Sequence, residues 1–309
     1  LTIAATASLT VNGSKSVPTG GTTAFLNDGT VQNNGQLILG NISAIGGEGL
    51  YNRGAFNNNT DGDIKIDRST FRAILNRDAT FNNSGLITIG ALATVGQRGL
   101  NNFGATAMFN NNAGEIKIDN ATSIGLYNES GTFTNAAKIT IGATTSTGPE
   151  GLNNASTFNN NTGGEINIDR STTAGLLSFS GTFTNAASIT IGAVASVGDY
   201  GIRNNAAFNN NTDGQIHIDR SIFSGIYNET GTFTNAASIT IGAVEIVERN
   251  GIRNHATFHN NTGGQIHIDR STLRGILNIS GTFTNAAAIT IGAVHSVGIN
   301  GINNFATFN

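Results

Sequence analysis

The chain has 309 residues, with 41 glycines, two prolines and no cysteine, and its formal net charge is −3. The lack of cysteine excludes disulfide scaffolds, cysteine-ligated metal centres and thiol catalysis. The small acidic charge, without a run of Lys or Arg, argues against nucleic-acid binding. No apolar stretch reaches the ~20 residues of a membrane helix, and Leu1 in place of Met indicates a processed chain or a fragment.

The beginning of the chain differs most from the rest. We expect residues 1–23 to form an irregular N-terminal segment with one strand that completes a coil, and residues 24–309 to form a repeat domain that ends mid-coil. Residues 1–3 read like the I-T-I segments found later and are the predicted strand. The repeat becomes regular at Val31, which stands one period before Phe56.

A phenylalanine marks each repeat, and from Phe133 onward its spacing is constant to the end of the chain. Longer units, such as 225–250, alternate with shorter units, such as 251–274, so the true period covers two units, about 50 residues. The unit at 99–124 departs from this pattern, with two extra residues around GATAMF. The repeated phenylalanines are Phe56, Phe81, Phe109, Phe133, Phe158, Phe183, Phe208, Phe233, Phe258, Phe283 and Phe308.

Each unit contains three short segments that can be extended, at 226–228, 232–235 and 239–241 in one copy. None has helical spacing, and each is too short for a stable hairpin. Such short strands become stable when each one pairs in parallel with the same strand of the next unit. The sequence therefore predicts an all-β parallel β-helix, with three strands per coil of about 25 residues, about twelve coils and a two-coil repeat.

Strand alternation predicts which side chains face inward. Phe233, Ile239 and Ile241 are expected inside, together with the asparagine that stands two positions after each phenylalanine. In-register stacking lets each buried amide bond to the next, and the alternative interpretation is a sugar-binding array. The first predicted row is Asn33, Asn58, Asn83, Asn111, Asn135, Asn160, Asn185, Asn210, Asn235, Asn260 and Asn285. A second row, interrupted at Ser178, is Asn52, Asn76, Asn102, Asn128, Asn154, Asn204, Asn228, Asn254, Asn278 and Asn304.

The motif GTFTNAASITIG resembles the N-x-G-x-F-x-N-x-G-x-I-x-I pattern of bacterial secreted and surface β-helix proteins. These are the filamentous-haemagglutinin, autotransporter-passenger and pectate-lyase-like solenoids. The resemblance covers roughly residues 24–309 and implies a right-handed coil. It says little about activity, because the same coil serves adhesins, fibres, lyases and phage tail fibres.

We expect no enzyme site among the polar residues of the repeat. An aspartate follows every second I-x-I segment, so neighbouring carboxylates are about 9–10 Å apart, too far for most paired acid–base chemistry. We expect these aspartates and the arginines after them to form a surface stripe. The aspartates are Asp67, Asp119, Asp169, Asp219 and Asp269, followed by Arg68, Asn120, Arg170, Arg220 and Arg270.

Metal binding, sugar binding and ice binding have less support in the sequence. His255 and His259 flank Phe258 and are the histidines that could share a metal, but we expect no metal or cofactor site. Sparse tyrosines, with Tyr200 expected in a loop, argue against an aromatic platform for sugars. Ice binding is disfavoured because the outward threonines of the I-x-I strands alternate with bulkier residues. Those threonines are Thr88, Thr140, Thr190, Thr240 and Thr290, and the intervening residues are Lys65, Lys117, Asn167, His217 and His267.

The two ends of the sequence suggest how coils could continue. The last unit, 301–309, stops where an I-x-I strand should follow, and residues 1–3 could supply that strand to a neighbouring copy. Either copies stack head to tail, or the chain is a stretch of a longer repeat protein. The predicted junction consists of Leu1, Thr2, Ile3, Phe305, Thr307, Phe308 and Asn309.

Together these features predict a structural, non-enzymatic protein outside the cell or on its surface, acting as a fibre or adhesin shaft. Its expected partners are further copies or repeats of itself and host or matrix glycans. The main alternative is a carbohydrate-binding or carbohydrate-active β-helix, and ice binding is the third.

Overall fold

The computed structural model describes residues 1–13, 15–16 and 22–309. The fold is an all-β, parallel solenoid of about twelve turns, and the described residues contain no helix. A complete turn gives one strand to each of three sheets, which confirms the predicted fold class. Positions 14 and 17–21 of the predicted N-terminal segment lie outside the described residues.

We name the three sheets after their inward residues. The phenylalanine sheet contains β1 (Thr2–Ile3), β5 (Thr30–Asn33), β8 (Ala55–Asn58), β11 (Thr80–Asn83), β14 (Met108–Asn111), β17 (Thr132–Asn135), β20 (Thr157–Asn160), β23 (Thr182–Asn185), β26 (Ala207–Asn210), β29 (Thr232–Asn235), β32 (Thr257–Asn260), β35 (Thr282–Asn285) and β38 (Thr307–Phe308). The isoleucine sheet contains β2 (Ser8–Val11), β6 (Gln36–Leu39), β9 (Asp63–Ile66), β12 (Leu86–Ile89), β15 (Glu115–Ile118), β18 (Lys138–Ile141), β21 (Glu165–Ile168), β24 (Ser188–Ile191), β27 (Gln215–Ile218), β30 (Ser238–Ile241), β33 (Gln265–Ile268) and β36 (Ala288–Ile291). The glycine sheet contains β3 (Lys15–Ser16), β4 (Thr22–Asn27), β7 (Glu48–Asn52), β10 (Arg72–Arg77), β13 (Arg98–Phe103), β16 (Ile124–Asn128), β19 (Glu150–Asn154), β22 (Ala174–Ser178), β25 (Tyr200–Asn204), β28 (Ser224–Asn228), β31 (Asn250–Asn254), β34 (Arg274–Asn278) and β37 (Asn300–Asn304).

By its internal contacts the chain divides into two compact units, which we call the first unit (1–148 with 156–158) and the second unit (149–155 with 159–309). Within each unit, equivalent residues of successive turns lie side by side in parallel strands. Phe81 pairs with Phe56 in the first unit, and Phe233 pairs with Phe208 in the second. Because a shift of one residue would turn every side chain to the other face, this register fixes the core.

The buried phenylalanines form continuous stacks inside each unit. In the first unit the stack runs from Phe56 to Phe158, and in the second from Phe183 to Phe308, with ring centroids 4.6–4.9 Å apart and planes within 7° of parallel. This separation equals the ~4.7–4.9 Å spacing of paired strands. The rings therefore stack because the backbone register places them directly above one another. Val31 pairs with Phe56 and occupies the same row, as predicted.

In most glycine-sheet strands a glycine makes room for the second isoleucine of the I-x-I motif, whereas Ala24 and Ala73 stand at this position in β4 and β10. A Cβ atom on Gly225 would lie 2.7 Å from Cγ2 of Ile241, and one on Gly251 would lie 2.4 Å from Cγ2 of Ile268. Carbon atoms do not approach this closely, so a side chain at Gly225 or Gly251 would push the two sheets apart locally. This contact explains why glycine opens the G-[LI]-x-N segment of the repeat.

The two extra residues of the irregular unit lie in a corner and leave the core unchanged. Between β13 and β14 the chain makes a turn in which the Ala107 N–H donates to the Gly104 carbonyl at 3.0 Å. Gly104 has a φ of 107°, which favours glycine. Phe109 still stacks on Phe81 at 4.6 Å, so the insertion is absorbed outside the sheets.

Replacing a stacked ring should cost much more stability than replacing an exposed one. Phe233→Ala removes a fully buried ring and should lower the free energy of unfolding by about 3–5 kcal/mol. Phe179 is 55% exposed, so Phe179→Ala is the matched control and should change stability by less than about 0.5 kcal/mol. Urea unfolding followed by circular dichroism measures both, and equal losses would contradict the stacked core.

Candidate functional site

The predicted first asparagine row lies along the end of the phenylalanine sheet, buried within the coil. Each side-chain amide donates from Nδ2 to Oδ1 of the equivalent asparagine in the next turn, for example Asn33 to Asn58 at 2.7 Å and Asn210 to Asn235 at 2.8 Å. Asn235 also donates to the Ala237 carbonyl and accepts the Ala237 N–H. The row therefore satisfies its own buried amides and the backbone groups of the corner, which offsets the desolvation cost.

The second asparagine row follows the end of the glycine-sheet strands. In the first unit the amide of Asn52 donates to Asn76 at 2.8 Å, and in the second unit that of Asn228 donates to Asn254 at 2.7 Å. Ser178 interrupts the row, as the sequence predicts, and its buried hydroxyl has no hydrogen-bond partner. A serine hydroxyl is shorter than an asparagine amide and does not reach the asparagines of the neighbouring turns, so the side-chain row is interrupted here.

The predicted surface stripe of aspartates is wrong, because these carboxylates are buried in every turn except the last. Asp67, Asp169 and Asp219 are only 4–9% exposed. Oδ1 of Asp219 accepts the backbone N–H groups of Val244 and Glu245 at 3.2 and 3.1 Å, from the loop that follows the next I-x-I strand. The carboxylate thus caps two amides of a loop that has no strand partner, a charge-assisted arrangement stronger than a neutral hydrogen bond.

The side chain of the residue after each aspartate contacts the loop of the preceding turn, not that of the following turn. Arg220 has a φ of 51°, and its Nη1 donates to the Gly192 carbonyl at 2.8 Å and to the Ala193 carbonyl. Arg220 also pairs with Glu245 at 3.0 Å. Since Asp219 binds the loop of the following turn and Arg220 the loop of the preceding one, the pair joins successive loops of the longer units. Asn120 replaces arginine once, and asparagine tolerates the same left-handed backbone.

Aromatic and arginine side chains gather on the outer face of the glycine sheet. Tyr200 belongs to β25, so its predicted place in a loop is wrong, and its ring centroid lies 4.9 Å from that of Tyr227 and 6.3 Å from that of Phe223. The Arg253 guanidinium lies 4.9 Å from the Tyr227 ring, and that of Arg249 lies 4.3 Å from the Phe223 ring. These are cation–π distances.

The charges of this face are largely paired within it. Arg203 pairs with Glu229 at 2.6 Å, and Nε of Arg253 donates to Nε2 of His255 at 3.0 Å. Burial, and then the nearby Arg253 charge, lower the pKa of His255, which keeps the imidazole neutral and able to accept that bond. Because guanidinium groups cover the rings and carboxylates pair with guanidinium groups, a ligand that stacks on bare rings would first have to displace them.

Most of the predicted junction residues lie in or next to β1 and β38 of the phenylalanine sheet, whereas Phe305 lies in the corner between β37 and β38. The I-x-I strand predicted at residues 1–3 is wrong, because β1 pairs with β5 and places Ile3 beside the first asparagine row. The I-x-I strand of that turn is β2, which pairs with β6. Phe308 stacks on Phe283 at 4.8 Å, and Phe305 is 70% exposed. The junction between copies stays a prediction.

The two histidines predicted as candidate metal ligands lie on different sheets. His255 lies beside Tyr227 at the end of β31, whereas His259 lies in β32 on the outer face of the phenylalanine sheet. Within the described ranges, no three His, Asp or Glu side chains are grouped so that they could hold a metal ion. A helix able to cross a membrane is likewise not found in the described part of the chain. Comparison with protein-family models, curated proteins and solved structures finds no match, so the family resemblance stays a prediction.

The buried aspartate should matter far more than an exposed one nearby. Asp219→Ala leaves the two loop N–H groups without an acceptor and should lower the free energy of unfolding by about 2–4 kcal/mol. Asp213 is exposed in the same turn, and Asp213→Ala should change it by less than about 0.5 kcal/mol. Thermal and urea unfolding of both variants measure the difference. If Asp219→Ala left the free energy of unfolding unchanged, the two hydrogen bonds of the carboxylate would not stabilise the fold.

Proposed function

We propose that this protein is the structural shaft of an extracellular fibre or surface adhesin. The observation that carries the proposal is the double attachment of each turn to the next. In-register main-chain ladders join the strands, while asparagine amides such as Asn210 and Asn235 bond from turn to turn inside the coil. Such a repeat resists local opening because one turn cannot leave without breaking contacts on both sides.

The shaft needs no catalytic group, since its work is mechanical. Proteases cut segments that open locally, and a strand held by two neighbours and by stacked side chains opens rarely. A shaft of this kind lengthens either by copies that stack head to tail or by further repeats in the same chain. The bacterial surface proteins that the GTFTNAASITIG motif resembles support the extracellular location.

A carbohydrate-binding role is the second candidate, and one observation favours it. Tyr200, Phe223 and Tyr227 lie close together on the outer face of the glycine sheet, which gives an aromatic cluster that the sequence did not predict. The guanidinium groups of Arg249 and Arg253 cover these rings, so the mechanical role has the stronger support. A glycan array with the intact protein separates the two roles.

The proposed role is tested by native proteolysis together with cryo-electron microscopy of the isolated protein. We expect the intact chain to survive thermolysin at concentrations that digest its Phe233→Ala variant. We also expect filaments whose axial repeat is about 4.8 Å, the spacing of stacked strands. Rapid cleavage within the strands of the intact chain would contradict a shaft, and discrete particles at every concentration would contradict fibre formation by the isolated protein.

A further inference from the structure

One face of the second unit has a composition unlike the other two. The outward positions of its phenylalanine-sheet strands carry threonine in most turns, and we call them the threonine face. Its members are Thr182, Ala207, Thr232, Thr257 and Thr282 before each phenylalanine, and Thr184, Asn209, Thr234, His259 and Thr284 after it. All are half-buried or exposed.

No strand of the phenylalanine sheet among the described residues contains Asp, Glu, Lys or Arg. The low charge of the chain does not explain this, because both other sheets carry charge. In the second unit Glu165 stands on the isoleucine sheet, and Arg203 and Arg253 stand on the glycine sheet. Among the described strands the phenylalanine sheet is therefore the one without a charged side chain, although in the second unit the isoleucine sheet carries only Glu165. An uncharged surface is complementary to an uncharged partner.

The threonine face is a regular lattice in two directions. Along a strand, outward residues such as Thr232 and Thr234 are two positions apart, about 6.6–6.8 Å, and successive turns are about 4.7–4.9 Å apart. Strict pairing of Thr182 with Ala207 and of Thr257 with Thr282 keeps each row straight. The β-branched side chains are stiff at χ1, and the phenylalanine stack directly behind them fixes the backbone.

We propose that the threonine face binds ice. A rigid, uncharged lattice of hydroxyl and methyl groups can order water at fixed spacings in two directions, as the repeating oxygen lattice of an ice surface requires. A charged side chain would keep its own hydration shell and disturb that order. The isoleucine sheet differs in its other outward row, where Ser188, Gln215 and Ser238 stand in place of the threonines that precede most phenylalanines.

Two other occupants fit the face less well. Apart from His259, the outward positions contain no ring on which a sugar could stack, which disfavours a crystalline polysaccharide. Packing the threonine faces of two copies together would bury many hydroxyl groups without arranged partners, which is costly. Ice is the occupant whose binding requires a surface that is at once regular, uncharged and rigid. This activity does not depend on fibre formation.

Thermal hysteresis and ice-recrystallisation inhibition of the intact protein test the proposal directly. The intact chain should depress the freezing point below the melting point and keep ice grains small. Thr234→Lys places a long cation at the centre of the threonine face and should lower both effects several-fold. The matched control is Thr240→Lys, since Thr240 is equally half-buried but faces outward from the isoleucine sheet, and it should leave both effects unchanged.

Circular dichroism and melting curves establish that both variants fold, so a loss of activity reports on the surface. No hysteresis in the intact chain would overturn the proposal, as would equal losses in the two variants. Two further results would assign the face to another occupant and overturn ice binding. One is a concentration-dependent dimer that disappears in Thr234→Lys, and the other is binding to crystalline cellulose that this variant loses.

Discussion

Parallel pairing in strict register is the constraint on which the other features of this protein depend. Because each strand of a complete turn lies beside the same strand of the next turn, most inward side chains meet their own kind about 4.7–4.9 Å away. Phenylalanine rings then stack with parallel planes, and asparagine amides bond from Nδ2 to Oδ1. Burying an amide without a partner costs free energy, and here each buried amide finds its partner in the equivalent asparagine of the next turn. The polar rows consequently reinforce the register, since a slip by one residue would leave every amide without its partner.

The alternation of longer and shorter units provides hydrogen-bond partners for the loops of the longer units. The longer units carry a loop after the I-x-I strand, and loop amides such as those of Val244 and Glu245 lie outside the strands and need another acceptor. The shorter units supply the partners: Asp219 accepts from N–H groups of the following loop, and Arg220 donates to carbonyl groups of the preceding loop. The two-turn period is thus a structural pairing of loop and cap, which explains why the carboxylates repeat every second turn.

Most of the inward positions could be predicted from the sequence, whereas several corner and outward positions could not. Phenylalanine, isoleucine and asparagine recur at fixed spacing, and strand alternation assigns their faces. The burial of Asp219 could not be predicted, because the inward–outward alternation of side chains applies only within a strand and Asp219 follows one. The loop that covers its carboxylate also comes a full turn later in the chain. The place of Tyr200 escapes prediction because the boundary between a long loop and β25 has no local signal. Residues 1–3 read as an I-x-I strand because Ile3 stands where the later phenylalanine-sheet strands carry asparagine, and only their pairing with β5 shows the true sheet.

The coupling between buried asparagines in successive turns tests this account most directly. A double-mutant cycle compares Asn210→Ala, Asn235→Ala and the double variant by urea unfolding. If the amides form a ladder, each single change leaves a buried partner unsatisfied, and the double variant should be more stable than the sum of the single losses implies by about 1 kcal/mol or more. Additive losses, with a coupling free energy near zero, would contradict the claim that side-chain stacking between turns holds the solenoid together.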